Sequence, residues 1–463
     1  MSRSPEGVMA LPARSGFRGW NRTQIYMLVL LVLLNMSNYL DRGVISILQE
    51  PIKQDLKLQD WQLGMISGPA FALLYSIAGI PVARIADRSN RITVLSIALA
   101  IWSGMTAACG LAVGFTHLVI ARLGVGAAEG ACTPTSHSLV ADLFEPRQRG
   151  LALSVLTTSI PIAQLMAPLI GGVVAMTWGW RTAFVVVGLP GLVLALVIWL
   201  TAKEPRHAPG AAKVASPGKF FADMRKLLAK RDFRWLFVAS AFMGASITAT
   251  NLFTASYFLR QFHLSLAQVG ALMAAGLGVA GLAGTFIGGW IGDRFAGTYG
   301  RSYPWACAIG AGLASILFVI VFTRASWQWA IPFLLLANIA TDFKNGPNSA
   351  AAQNMAPPEM RATTSAVLMV AVIAIGATFG PMMLGAVSDV FGARAFPDAL
   401  GNFSAMCPGG KPSPNAAANI GKACEIAAAA GLRTAMLVPC ATYMCAALCF
   451  YLSGRAITEP LEK

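Results

Sequence analysis

Twelve apolar blocks, most about 20 residues long and so long enough to cross a hydrocarbon layer as helices, are separated along this chain by polar segments. A chain built this way has few folds open to it. Backbone amides have no water to bond inside a bilayer, so each block must close its hydrogen bonds internally as a helix. The predicted spans are 23–48, 62–83, 92–113, 116–143, 150–176 and 181–200, then 233–258, 267–292, 303–323, 328–354, 362–388 and 433–453. Of 463 residues, 56% are apolar and only 12% are charged. A soluble protein would need roughly twice that charged fraction to cover its surface. The net charge of +15 raises the question of nucleic acid, but the basic residues sit between apolar blocks rather than in one patch, and no nucleic-acid partner is expected.

The side on which those residues fall predicts orientation. Edge residues are counted with the adjoining segment. If the N-terminus is inside, inside segments carry 23 Lys and Arg and outside segments carry 9. The positive-inside rule then puts both termini in the cytoplasm. The N-terminal tail, with Arg3, Arg14, Arg18 and Arg22, precedes an apolar run too long for a signal-peptide core, so that run is read as the first membrane helix.

The chain repeats itself. ARIADR at 83–88 returns as GWIGDR at 289–294, which puts Asp87 and Asp293 206 residues apart. Arg149 returns as Arg361, 212 apart. APLIGG at 167–172 returns as GPMMLG at 380–385, with Pro168 and Pro381 213 apart. Three matches in one order at nearly one offset indicate a parallel duplication, with the substrate cavity expected where the halves meet near mid-membrane. The expected domains are a six-helix bundle over 1–200, a basic cytoplasmic linker over 201–232 and a second six-helix bundle over 233–463. The fold class is therefore an all-α membrane protein of twelve helices in two pseudo-symmetric halves. Phe220, Phe221, Met224, Leu227 and Leu228, with Lys219, Arg225, Lys226 and Lys230 between them, predict an amphipathic helix in the linker. Residues 391–432, rich in Gly, Pro, Asn and Ala, read as a long exported loop.

Six cysteines lie in apolar helices, where buried thiols pack as small hydrophobes. Cys407 and Cys424 lie in the exported loop and could pair there. No metal-ligand cluster or P-loop is seen, so no cofactor, metal or nucleotide-driven pumping is expected, and the chain does not read as an enzyme.

Ionisable residues within the spans are few, and each is costly if it faces lipid. They are Asp41 and Arg42 in the first helix, Arg122 and Glu129 in the fourth, and Asp342 and Lys344 in the tenth. Helical rise puts Asp41 and Arg122 each about 10 Å from the outer ends of their predicted helices, with Glu129 roughly 10 Å deeper on the face of Arg122. A neighbouring arginine favours an ionised carboxylate and apolar surroundings favour a protonated one. An arginine that changes partner between conformations can therefore make a carboxylate take up or release a proton. Asp41 and Glu129 are the candidate proton sites, with Arg42 and Arg122 as their charge partners. Arg42 serves equally well as a clamp for an anionic substrate head. His137, two turns below Glu129, is a candidate relay, and Asp342 and Lys344 are either a local pair or a secondary site. In the turn after the second helix, Asp87 followed by Arg88 and Arg91 can pin that helix end in one conformation and release it in another. Asp293 and Arg294 repeat the arrangement.

These residues resemble the major facilitator superfamily. Its loop motif, Gly-x-x-x-Asp-Arg-x-Gly-Arg, is met at Asp87, Arg88 and Arg91, with Ala83 and Asn90 in place of glycines, and again at Gly289, Asp293 and Arg294. Arg122 and Gly126 meet the fourth-helix pattern, and Ala167, Pro168 and Gly171 loosely meet that of the fifth. Within the superfamily the chain is similar to the spinster group. NYLDR at 38–42, DRSNR at 87–91, GVGAAEG at 124–130 and SLVADLF at 138–144 carry that likeness. The resemblance implies proton-driven alternating access with Asp41 and Glu129 as protonation sites and Arg42 and Arg122 as partners. It also implies a lipid-like substrate such as a lysophospholipid or sphingoid. Organic-anion/proton symporters of the same superfamily carry similar first helices, so a small organic acid is the alternative cargo. A non-transporting receptor on the same fold has no use for paired intramembrane acids. The expected partners are protons, an organic substrate and membrane lipids. A monomer in a bacterial inner membrane is the expected setting.

Overall fold

The computed structural model describes residues 20–145, 148–205, 217–294, 300–357, 360–412 and 418–457, without the side chains at 80, 83, 84, 87, 88, 217–219, 293, 362 and 418. Among these residues the fold is helical throughout, with no strand. Eight stretches are by themselves long and apolar enough to cross a membrane. One of them, Arg149–Thr201, turns at Gly179, whose φ of 83° suits a residue without Cβ, and so crosses twice. Three more crossings are broken helices: Asp60–Ser67 with Pro69–Arg88, Phe115–Glu129 with Cys132–Leu143, and Trp327–Asp342 with Asn345–Asn354. Twelve crossings result.

The duplication can be seen as repeated backbone contact. A Cβ at Gly64, in the second crossing, would run into the Pro381 carbonyl of the eleventh. A Cβ at Gly270, in the eighth, would run into the Pro168 carbonyl of the fifth. Gly64 and Gly270 are 206 residues apart and Pro168 and Pro381 are 213 apart, the offsets of the sequence repeat. The two contacts are pseudo-twofold mates across the interface between the halves. Small residues let these helices touch backbone to backbone, which supplies packing where lipid offers no hydrophobic drive. The first and seventh crossings, Arg22–Leu56 and Arg231–Phe262, pack on each other between these pairs.

Three boundaries depart from the sequence reading. The first helix runs to Leu56 rather than 48. That puts Asp41 about 22 Å from the helix end, at its middle, rather than close beneath the outer surface. The eleventh crossing continues to Ala395, and the twelfth already begins at Ala418, running on through Leu437–Ala456. The segment between the two helices is therefore 396–417, not 391–432. The sequence reading placed these three boundaries where hydropathy fell. In the added turns of the first and eleventh crossings, Glu50, Lys53 and Asp389 pair across the protein instead of facing lipid. Cys407 and Cys424 are disulfide-bonded with a Cα separation of 5.5 Å, closing a small core with Phe396 and Ala427.

The linker contains a helix, Pro217–Ala229. Leu227 is buried, and Phe220, Met224 and Leu228 pack against the main core, while Phe221 stays exposed. This amphipathic helix rests on the start of the seventh and eleventh crossings, which belong to the second half.

Candidate functional site

The first crossing presents two adjacent ionisable residues to different surroundings. Neighbours on a helix are 100° apart, so Asp41 and Arg42 leave the first crossing in different directions. Arg42 bonds Glu129 of the fourth crossing, Nε to Oε2, at 2.7 Å. Its guanidinium lies 4.4 Å from the ring centre of Tyr75, 5.0 Å from Phe71 and 5.3 Å from Tyr39. The aromatic faces give a desolvated cation the electron density that water no longer supplies. The Arg42 side chain keeps 22% of its surface accessible, while Glu129 has none.

Asp41 is also fully buried, and neither carboxylate oxygen has a hydrogen-bond partner among the described residues. Glu129, Arg122 and Arg42 are the charges around it, with the Thr106 hydroxyl beside it. The Arg122 guanidinium lies 4.8 Å from the centre of the same Phe71 ring, and its Nε and Nη1 also lack hydrogen-bond partners among the described residues. Phe71 thus lies close to two guanidinium groups. Two acids and two arginines lie in one buried cluster, only one direct ion pair is made among the described residues, and the remaining carboxylate and guanidinium have unused bonding capacity. Buried polar groups are normally satisfied, so this cluster stands out from ordinary helix packing.

The structure therefore brings together the four residues that the sequence singles out. His137 is exposed and is not drawn into this cluster. Arg91 bonds Ser138 and Asp142 at the end of the fourth crossing and Glu204 after the sixth, at 2.7–2.8 Å. It ties three helix ends within the first half. The side chains of Asp87, Arg88 and Asp293 lie outside the described residues, and Arg294 is exposed.

Asp342 and Lys344 form no direct ion pair. Asn345 lies between them, its Nδ2 donating to Asp342 Oδ1 at 3.1 Å while its Oδ1 accepts from Lys344 Nζ at 2.6 Å. The same amide nitrogen reaches Thr285 of the eighth crossing at 3.0 Å.

Sequence reasoning missed a second charge cluster, at the end of the bundle opposite the termini. Arg260 of the seventh crossing bonds Glu50 at 2.7 Å and both oxygens of Asp60 at 2.7 and 2.8 Å. Lys53 bonds the same Asp60 at 2.7 Å, and Ser388 of the eleventh crossing donates to it at 2.6 Å. Asp389 accepts the backbone N–H groups of Asp60 and Trp61, capping the second crossing from the other half. Lys53 and Asp60 are only 3% and 2% exposed. These residues fall beyond the predicted spans and so read as loop charges. The available signal was the continued helical spacing of Glu50 and Lys53.

The Major Facilitator Superfamily profile matches residues 31–381 of this chain. The chain belongs to the Major Facilitator Superfamily. It is an integral membrane transporter with that superfamily's fold. It is 34% identical over 362 residues to an MFS-type efflux pump of Mycolicibacterium smegmatis, covering 78% of this chain and 83% of the relative. It is 25% identical to a probable L-galactonate transporter of Escherichia coli, over 72% of this chain and 74% of that one. The fold matches the crystal structure of a bacterial homolog of the human lysosomal transporter Spinster, in its inward-facing, unoccupied conformation, with a TM-score of 0.84. That match has 30% identity and covers 95% of this chain and 98% of the other. The spinster-like character expected from NYLDR and DRSNR thus extends to the whole fold.

Proposed function

We propose that this protein is a proton-coupled secondary transporter working by alternating access, and that its cargo is an amphipathic lipid-like or other apolar organic compound. The observation that carries the reading is the shared burial of Asp41, Glu129, Arg42 and Arg122 with a single direct ion pair among them. Two acids facing two arginines can gain or lose a proton by exchanging partners, which is what coupling requires. The closed charge cluster opposite the termini, together with the likeness to an inward-facing structure, supports a state open toward the side of the termini.

A second reading, symport of a small organic acid, is favoured by the accessible guanidinium of Arg42 and by the similarity to a probable L-galactonate transporter. The two are separated by uptake into proteoliposomes with and without an inward proton gradient. The lipid reading expects gradient-stimulated movement of a labelled lysophospholipid and none of galactonate. Movement of galactonate alone selects the acid. Movement of neither with any gradient overturns proton-coupled transport of both classes.

We also infer that both termini and the 201–232 linker are cytoplasmic, from the 23-to-9 asymmetry of basic residues. A cysteine introduced at Phe221, exposed on the linker helix, is expected to react with a membrane-impermeant thiol reagent only after the cell membrane is opened. Reaction in intact cells would reverse the orientation.

A further inference from the structure

The tenth crossing is the pseudo-symmetry mate of the fourth, and Asp342 lies 213 residues after Glu129, at the offset of the repeat. Both helices break immediately after the acid, one ending at Glu129 and the other at Asp342. Both resume three residues on, at Cys132 and Asn345. Each break touches a glycine of a neighbouring crossing: Gly79 lies against the Gly130 backbone, and Gly288 against the Phe343 carbonyl. The halves share a scaffold here but fill it differently. In the first half Glu129 is neutralised directly by Arg42. In the second, the seventh crossing supplies no arginine at the matching depth, and the cation is Lys344, on the same helix as the acid.

Lys344 Nζ has no carboxylate oxygen within 4.0 Å among the described residues, and its one hydrogen-bond partner there is the Asn345 amide. Asp342 uses one oxygen on that amide. Its other oxygen faces Gly281 of the eighth crossing, where a side chain would collide with it. Asp342, Lys344, Asn345 and Thr285 are all partly accessible, unlike Asp41 and Glu129. An ammonium held inside a membrane protein without a direct counter-ion attracts an anion. The adjoining carboxylate, amide and hydroxyl present acceptors and donors suited to hydroxyl groups.

We propose that Lys344, with Asn345, Asp342 and Thr285, is the second half's binding site for the anionic group of the transported compound, a carboxylate or phosphate flanked by hydroxyls. The inference deepens the transport reading above and rests on it. It assigns the proton to the first half and the polar head of the cargo to the second. The head comes either from a free hydroxy acid or from a lysophospholipid, and the test separates these sources.

Purified protein in nanodiscs is titrated at one fixed pH with galactonate, glucuronate and lysophosphatidylglycerol, and binding is read by thermal stabilisation. Glucose and monoacylglycerol serve as the neutral counterparts. Wild type is expected to bind at least one anionic probe and neither neutral one, and the probe bound identifies the source. Lys344→Gln should weaken that binding about tenfold or more, the scale of one lost charge-assisted hydrogen bond. Lys344→Arg should restore most of it, and Asp342→Asn, which keeps the Asn345 contact possible, should lower affinity for the hydroxylated probes. The proposal is overturned if Lys344→Gln binds as wild type does, if the neutral probes bind as tightly, or if no anion binds wild type. Distances across the two ends of the bundle at high and low pH are measured on the same samples. A wild type whose ends do not respond to pH defeats the proton reading and leaves the anion titration interpretable.

Discussion

The double variant Asp41→Asn, Glu129→Gln is expected to abolish proton-driven accumulation of substrate while leaving exchange of substrate across the membrane. Spin-label distances across the two ends of the bundle should also lose their dependence on pH. The pair between Arg42 and Glu129, at 2.7 Å, is strongest with Glu129 ionised, so protonating Glu129 weakens a contact that holds the state described here. Lowering the pH adds protons to whichever state binds more of them. In the wild type it should therefore depopulate this state in favour of the one open at the opposite end. With both acids neutral, Arg42 and Arg122 have amide partners at every pH and no exchangeable charge remains. Each single variant is expected to retain part of the response, because the remaining acid still faces an arginine. A double variant that shifts with pH as wild type does would make the four residues a structural cluster and turn attention to Asp342. A response lost only in Arg122→Ala would identify partner choice by that arginine as the switch.

Arg260→Ala is the second large effect expected, and it acts on the opposite end of the molecule. In this state Arg260 holds Glu50 and Asp60 of the first half, with all three side chains at most 10% exposed. Removing one member of a buried charge network leaves its partners uncompensated, at a cost of about 3–5 kcal/mol. Separating the halves hydrates those partners, so the cost falls almost wholly on the closed state. A differential of that size changes a two-state population by a factor of about 100 or more. Labelling of a cysteine placed at Gln62, beside the network, should rise from slow to rapid in Arg260→Ala. Arg260→Lys should fall between the two, since an ammonium cannot reproduce the two bonds to Asp60 together with the one to Glu50. Unchanged labelling in Arg260→Ala would show that the Gly64–Pro381 and Gly270–Pro168 backbone contacts alone keep that end shut.

Much of this architecture was legible before any coordinates. A helix crosses a membrane because the transfer free energies of its own residues add up, and that sum is local to the segment. The twelve crossings, the duplication and the cost of Asp41, Arg42, Arg122, Glu129, Asp342 and Lys344 are therefore written in the linear chain. Which of these residues touch is not. Asp41 and Arg42 are adjacent in sequence, yet Arg42 takes the ion pair and Asp41 is left without one, because the rotation of the first helix is set by contacts such as Gly43 on Ala167 and Gly171 on Val44 and Ile47. The same applies to Glu50, Lys53, Asp60, Arg260 and Asp389. Read by hydropathy they are surface charges beyond the ends of spans. They become buried partners only when the two halves close on each other and take one another's charges out of water. Transfer free energy is a property of one segment, whereas charge pairing depends on the relative rotation, tilt and docking of several helices, which only the packed tertiary structure fixes.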